Sequence, residues 1–335
     1  MKAIGLTTSH EINHDDSLYE FEKQRPTPKE LDLIIKVNAV SINPIDTKVR
    51  VLCAQDKILE EPKVLGYDAV GIVEEIGSGV EEFKIGDRVF YAGDITRHGS
   101  NAQFQAVDSR IVAKAPTSLN DAECAVIPLT SLTGWESIFD RLKVNPNENK
   151  TILIIGGAGG VGSITTQIVK QMTNLTVITT ASREETSIWT KSMGADYIAN
   201  HKDLVNSVRK LGFENVDYIF NAADTTNHWD AMAELIAPQG SICSIVASKE
   251  NVDLNKLRDK SVTFIWEVMF TRSRLNTKDI RRQQDILKQM ANLLDEGKIK
   301  TTLNQSIHGF SVENFKKAHS LIEGGKTIGK IAIVF

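Results

Sequence analysis

The passage from Thr151 to Gly162 constrains this chain more than any other. Thr151-Ile152-Leu153-Ile154-Ile155 is a continuous apolar run, suited to a parallel strand buried on both faces. It is followed by Gly156-Gly157-Ala158-Gly159-Gly160-Val161-Gly162 and then a helical pattern over Ser163 to Met172. The order is strand, G-x-G-x-x-G, helix. Each glycine then has a steric role. Gly157 permits a tight turn, Gly159 lets backbone approach a pyrophosphate, and Gly162 lets helix pack close on strand. Ala158, Gly160 and Val161 complete the turn, and the helix N-terminus behind them offers unpaired N–H groups and a favourable dipole to phosphates. A tight structural turn is the other reading. Repeated strand and helix units downstream favour a dinucleotide site.

Those units are strand candidates at Leu175 to Thr180, Val216 to Phe220, Gly240 to Val246 and Val262 to Met269, with helical spacers beginning at Gly162, Ser187 and His228. The alternation predicts an α/β fold with a doubly wound parallel sheet and right-handed crossovers. Before it, residues 1 to about 120 read as an all-β region of short strands punctuated by Gly66, Gly77, Gly79 and Gly86. Leu33 to Val40, Ala69 to Ile76 and Arg88 to Tyr91 are examples. Ala122 to Leu142 reads as helix, Thr277 to Gly297 as a long amphipathic segment, and Ile331 to Phe335 as a closing strand. At 335 residues the chain exceeds one typical core, so two domains are expected.

A net charge of −4 gives no global basic field for nucleic acid or an anionic membrane. The densest basic stretch, Arg272, Arg274, Lys278, Arg281 and Arg282, reads as a solvated helix face. Cys53, Cys124 and Cys243 lie far apart, against a disulfide framework or a cysteine-rich zinc lobe and in keeping with a reducing cytoplasm. No apolar run approaches the roughly 20 residues of a bilayer span, and no secretory h-region is seen. Partners are expected to be small molecules, with no nucleic acid and no membrane.

The end of the second strand selects the dinucleotide. An NAD site usually carries an acidic residue there for the ribose 2′-hydroxyl, but the chain reads Thr179-Thr180-Ala181-Ser182-Arg183. Ser182 offers a hydrogen bond and Arg183 a planar cation suited to a 2′-phosphate, so NADPH is the expected cofactor. The competing reading has Ser182 and Arg183 capping the next helix, with Glu184 and Glu185 neutralising the arginine. Asn221, Ala222 and Val246, after later strands, are expected along the adenosine-to-nicotinamide path. His201 either reaches the 2′-phosphate or is a surface histidine.

Several landmarks in order resemble the zinc-independent quinone oxidoreductase branch of the medium-chain dehydrogenase/reductase superfamily, over nearly the whole chain. They are Val40-Ser41-Ile42-Asn43-Pro44-Ile45-Asp46, Leu65-Gly66-Tyr67-Asp68-Ala69-Val70-Gly71, Gly86-Asp87-Arg88-Val89, Pro128-Leu129-Thr130-Ser131-Leu132-Thr133-Gly134-Trp135 and the glycine turn. The stretch Trp266-Glu267-x-Met269-Phe270-Thr271-Arg272-Ser273 looks closest to bacterial zinc-type alcohol dehydrogenase-like proteins. The resemblance implies a Rossmann sheet inserted in a GroES-like β-barrel domain built from both chain ends. The expected division is 1–122, 123–271 and 272–335, with the active site in the cleft and a homodimer joined through the edge strand Val262 to Met269.

Zinc-dependent members carry Cys, His and Cys or Asp at three landmarks where this chain has Asn43, Tyr67 and approximately Leu129. None is a usual zinc ligand, and no metal is expected. Without a Lewis acid a better electrophile is needed, and the resemblance implies NADPH-dependent hydride transfer to a quinone or α,β-unsaturated carbonyl. Candidate catalytic residues are Asn43, Asp46, Tyr67 and Tyr91, with Thr130 beside the cofactor and Lys330 also among the cofactor-binding candidates. Asn43 or Tyr67 is a potential donor to the developing oxyanion, although Tyr67 reads equally as a packed aromatic. Asp46 is a proton relay or the cap of a turn. Two other readings stay open, a zinc-type alcohol dehydrogenase and an NADPH-binding or sensor protein without turnover.

Overall fold

In the computed structural model, which describes residues 1–335, the run Thr151–Ile155 is an inner strand of a six-stranded sheet. The order across that sheet is Tyr197–Ala199, Thr176–Thr180, Thr151–Ile155, Val216–Asn221, Ile236–Ser244, Thr263–Trp266, and every neighbouring pair is parallel. The first strand in sequence therefore lies in the middle, and the winding direction reverses beside it. That reversal is the switch point at which a doubly wound sheet binds its ligand. The run is unbroken because both its faces are covered. Leu153 and Ile155 pack with Ile178, Leu204 and Trp229, whereas Ile152 and Ile154 pack with Val169, Val177 and Phe220. Burying each such aliphatic side chain contributes about 1.5–3 kcal/mol.

The intervening helices are Gly160–Met172, Glu184–Ser192, Leu204–Lys210 and Thr225–Leu235. Three begin two to three residues before the apolar periodicity does, at Gly160, Glu184 and Thr225 rather than Gly162, Ser187 and His228. Glu184 and Glu185 make one of these first turns polar, and another is capped by Asp224, which accepts from the Asn227 amide at 2.9 Å. A first turn fixed by caps has no apolar stripe to betray it. The helix expected over Ala122 to Leu142 is broken into Asp121–Ala125, Pro128–Trp135 and a π-helical turn Glu136–Arg141. Pro128 has no N–H to give the preceding turn, so the helix must restart there.

The chain divides into two compact units, Met1–Leu129 with Phe270–Gly297 and Thr301–Phe335, and Thr130–Met269 with Lys298–Lys300. In the first, a ladder runs Leu303–His308, Lys330–Val334, Asp32–Ser41, Ala69–Ile76, Arg88–Tyr91, Ala113–Lys114, with Phe104–Asp108 also paired to Asp32–Ser41. A second, three-stranded sheet has the order Tyr19–Glu22, Lys2–Leu6, Lys63–Val64. Both chain ends thus contribute strands to this unit, and its main pairing path runs from Leu303–His308 at one end to Ala113–Lys114 at the other. Leu33, Ile35, Val37, Phe315 and Ile333 lie in its core.

This unit is not all-β before residue 120. Pro44–Leu52 is a helix whose start is written in the sequence: Asn43 is its N-cap, Pro44 stands in its first turn, and Asp46 closes a capping box. The basic stretch is also not one solvated face. Arg272 is buried and pairs with Asp279 at 3.0 Å, while Arg281 pairs with Glu82 at 2.7 Å. No helix is long and apolar enough to cross a membrane.

Candidate functional site

At the end of Thr151–Ile155 the turn is made by Gly156, whose φ of 90° lies in the left-handed region. This is one residue before the glycine expected to make it. Gly157 is required for another reason, since a Cβ there would lie 2.7 Å from Thr179 Cβ on the adjacent strand. At Gly162 a Cβ would sit 2.2 Å from the Gly156 carbonyl oxygen, so the close approach there is of helix to turn. Gly159 differs, because the nearest atom to its Cβ would be Gly156 O at 3.5 Å, leaving open space above the turn. Gly159 is also the N-cap of Gly160–Met172, and no side chain caps that helix. Ala158, Gly160 and Val161 are half-buried. A helix N-terminus with no side-chain cap and open space above it fits a pyrophosphate.

The Gly156 amide donates to Thr180 Oγ1 at 2.9 Å, tying the turn to the strand that leads to Ser182. Ser182 is exposed. Arg183 is the N-cap of Glu184–Ser192, and it caps through its backbone: its amide donates to Thr186 Oγ1 at 3.1 Å and its carbonyl accepts from the same hydroxyl at 2.7 Å. Its guanidinium pairs with Glu185 at 2.7 Å. Backbone capping and an ion pair thus coexist with a guanidinium at the strand end. His201 is half-buried, edge-on to His228 at 6.3 Å, and its pKa is lowered by burial and by Lys202.

Asn221, Ala222 and Val246 come together at the carboxyl ends of neighbouring strands. The Ala222 amide donates to the Ile155 carbonyl at 3.0 Å, and its backbone borders Gly156. The Asn221 amide group donates to Thr225 at 3.0 Å and Ser244 at 3.1 Å, while its oxygen accepts from the Ala223 amide at 3.1 Å. Thr225 in turn donates to the Val246 carbonyl at 2.5 Å. Asn221 therefore fastens the strand ends rather than offering its side chain to a cofactor. Thr130 is buried on the helix Pro128–Trp135.

The remaining candidates lie in the other unit, where Asn43, Asp46 and Lys330 meet around a residue the sequence reasoning missed, Asp68. Asp68 accepts from the Leu129 amide at 2.7 Å, from Asn43 Nδ2 at 2.9 Å and from Lys330 Nζ at 3.2 Å. Its signal was its place in Gly66-Tyr67-Asp68, next to a singled-out tyrosine. The second Asn43 N–H points to the Ser41 carbonyl at 3.3 Å, and the Asn43 oxygen accepts from Lys330. That amide has no N–H left for a substrate oxygen, which corrects its expected role as oxyanion donor.

Asp46 accepts from the Asn43 amide at 2.8 Å and the Gly66 amide at 3.0 Å, which is the capping reading rather than the relay. Burial pushes its carboxyl up to about 7, against the pull of those two N–H groups and Lys330. Burial likewise raises Asp68 and lowers Lys330, each opposed by the other's charge. Lys330 was expected with the cofactor set. Its ammonium is instead committed to Asp68, Asn43 and the Ile42 carbonyl.

Tyr67 and Tyr91 are wholly buried, and neither hydroxyl has a hydrogen-bond partner. Burial raises both phenol pKa values, so each hydroxyl keeps its proton. Tyr67 is also a packed aromatic, edge-on to Phe270 at 5.4 Å. The packed-aromatic reading describes its ring, while its O–H lacks an acceptor.

The donor set does not fit a zinc ion. Asn43 and Tyr67 are poor ligands, the Leu129 side chain is a hydrocarbon, and no group of three His, Cys, Asp or Glu side chains is placed to hold a metal. His98 Nδ1 accepts from the Val64 amide at 3.4 Å and is no part of such a group.

Two families match: the alcohol dehydrogenase GroES-like domain over residues 29–117 and the zinc-binding dehydrogenase family over residues 193–333. A zinc-type alcohol dehydrogenase-like protein of Staphylococcus aureus (strain Mu50) is 45% identical over 99% of this chain and 99% of its own length. A 2-methylene-furan-3-one reductase of Solanum lycopersicum is 28% identical over 92% of this chain and 73% of its own. The crystal structure of a protein from Rhizobium etli CFN 42, assigned provisionally to the zinc-dependent alcohol dehydrogenases, superimposes with a TM-score of 0.95 at 42% identity. That match covers 100% of this chain and 98% of the other.

Proposed function

Since the chain belongs to the medium-chain dehydrogenase/reductase superfamily of oxidoreductases, alongside the zinc-type alcohol dehydrogenase-like proteins, we propose that it reduces quinones or α,β-unsaturated carbonyls with NADPH and without catalytic zinc. The observation that carries this reading is the replacement of the zinc ligands by Asn43, Tyr67 and Leu129, with Asn43 already committed to Lys330 and Asp68. A carbonyl that no metal polarises must be a good electrophile already, and conjugation makes it one. The enone-reducing name of the tomato relative supports the same acceptor class.

Bound NADPH supplies the hydride. The residues of this chain supply the rest. The Gly160 helix N-terminus holds the pyrophosphate, and Ser182 with Arg183 engages the 2′-phosphate. The Tyr67 O–H, buried and still lacking an acceptor, donates to the oxyanion that develops as hydride adds to the conjugated system. Burial around Tyr67 and Tyr91 keeps water from competing with the acceptor.

The protein works as a homodimer joined along the edge strand Thr263–Trp266, where Trp266 and, two residues past the strand, Val268 expose apolar side chains. Three free cysteines suit a reducing cytoplasm.

Steady-state NADPH oxidation with a panel of quinones and enones tests the reading. Turnover insensitive to chelators is expected, with kcat lowered about 100-fold by Tyr67→Phe. Ethanol oxidation abolished by a chelator would establish the zinc reading, and tight NADPH binding without turnover on any acceptor would make the protein a binding module.

A further inference from the structure

The zinc that the relatives' name implies has no ligands here, and the position beside Asn43 and Asp68 belongs to a cation of the chain itself. Sheet register puts it there. The antiparallel pairs Ala332↔Ser41, Ile333↔Val40 and Val334↔Ala39, continued by two residues, set Lys330 opposite Asn43. Ser41 in turn donates its amide to the Asp68 carbonyl at 3.3 Å, which brings the next strand's lead-in residue to the same spot. Three oxygens converge on Lys330 Nζ: Asn43 Oδ1, Asp68 Oδ2 at 3.2 Å and the Ile42 carbonyl at 3.4 Å. The Lys330 side chain is 4% exposed and that of Asp68 0%. An ammonium has three N–H groups, and each finds an acceptor. A carboxylate, an amide carbonyl and a peptide carbonyl are also the oxygen donors that hard cations take.

We propose that Lys330 is the tethered resident cation of this pocket, its ammonium filling an oxygen-lined cation position and positioning Asn43 and Asp68 while closing the pocket to metal ions. The consequences reach further than one ion pair. Asn43 caps the helix Pro44–Leu52, and Asp68 holds the Leu129 amide at the start of Pro128–Trp135, so one ammonium organises two helix starts. Asp68 also adjoins Tyr67 in sequence. The alternative, a buried ion pair that serves packing alone, makes a different prediction: packing is not restored by a free amine.

The test is thermal unfolding of the full-length protein, which needs neither cofactor nor acceptor and so stands apart from the proposed reductase activity. Lys330→Ala leaves Asp68 buried and uncompensated, and its Tm is expected to fall by roughly 10 °C. Methylammonium, which fits the vacated position, is expected to restore most of that loss, while tetramethylammonium, which has no N–H and is too large, restores none. Lys330→Met with Asp68→Asn removes both charges and is expected to regain most of the Tm even if Lys330→Ala folds poorly. Wild-type protein incubated with zinc and gel-filtered is expected to retain no stoichiometric metal. Equal rescue by both amines, no recovery in the double variant, a Lys330→Ala protein as stable as wild type, or stoichiometric zinc on the wild type would each overturn the proposal.

Discussion

Arg183 Nε lies 2.7 Å from Glu185 Oε1, two residues along the chain, where the second Rossmann strand gives way to its helix. The pair is 38% and 61% exposed, so it is a weak, screened contact that a phosphate dianion displaces at little cost. Arg183→Ala is expected to weaken NADPH about 10-fold and leave NADH unchanged. Glu185→Gln, which frees the guanidinium from its competitor, is expected to tighten NADPH severalfold. Fluorescence titration of both cofactors reads each effect, and an Arg183→Ala protein with unaltered NADPH affinity would falsify the assignment.

The glycines of the turn separate folding from binding. Gly162→Ala drives a Cβ to 2.2 Å from the Gly156 carbonyl, and backbone cannot yield cheaply, so loss of soluble protein or a Tm lower by roughly 5 °C or more is expected. Gly159→Ala meets nothing closer than 3.5 Å and is expected to keep the wild-type Tm while losing dinucleotide binding, since its methyl enters the space left for the pyrophosphate. Equal effects of the two changes on Tm would remove the distinction.

His319 is wholly buried, with Nδ1 3.5 Å from Arg50 Nη1 where the helices Pro44–Leu52 and Val312–Glu323 meet. Burial and then Arg50 hold its pKa down to about 3, against 6.5 in an unfolded chain. As pH falls below 6.5 the unfolded chain takes up a proton that the folded chain refuses until about 3. Stability is therefore full above 6.5 and lost progressively as pH descends toward 3. His319→Gln, which keeps a polar group but cannot titrate, is expected to flatten the acid limb of Tm against pH, by roughly 5 °C at the low end. An unchanged acid limb would assign acid sensitivity to other groups.

The edge strand can be tested by charge. Trp266, on the edge strand of the six-stranded sheet, is 45% exposed, and Val268, two residues past that strand, 53%. Trp266→Lys combined with Val268→Glu is expected to convert a dimer to a monomer in size-exclusion chromatography with light scattering. A variant that stays dimeric would move the interface elsewhere.

Local sequence determined the Rossmann half of this protein. Thr151–Ile155 had to be an inner strand because an unbroken apolar run needs cover on both faces, and the glycines after it had to make a turn because no side chain fits at Gly157 or Gly162. The helix at Pro44–Leu52 is equally legible in Asn43, Pro44 and Asp46, which spell a capping box with proline in the first turn. Tertiary structure alone decided what the polar candidates do. Asn43, Asp68 and Lys330 lie far apart in sequence and meet only because an antiparallel register brings a C-terminal strand against an N-terminal one. A lysine read alone looks like a cofactor ligand, and an asparagine like a free donor. Each proved committed, because a buried N–H must find an acceptor in the fold, and which acceptor it finds is fixed by long-range pairing that no local pattern encodes.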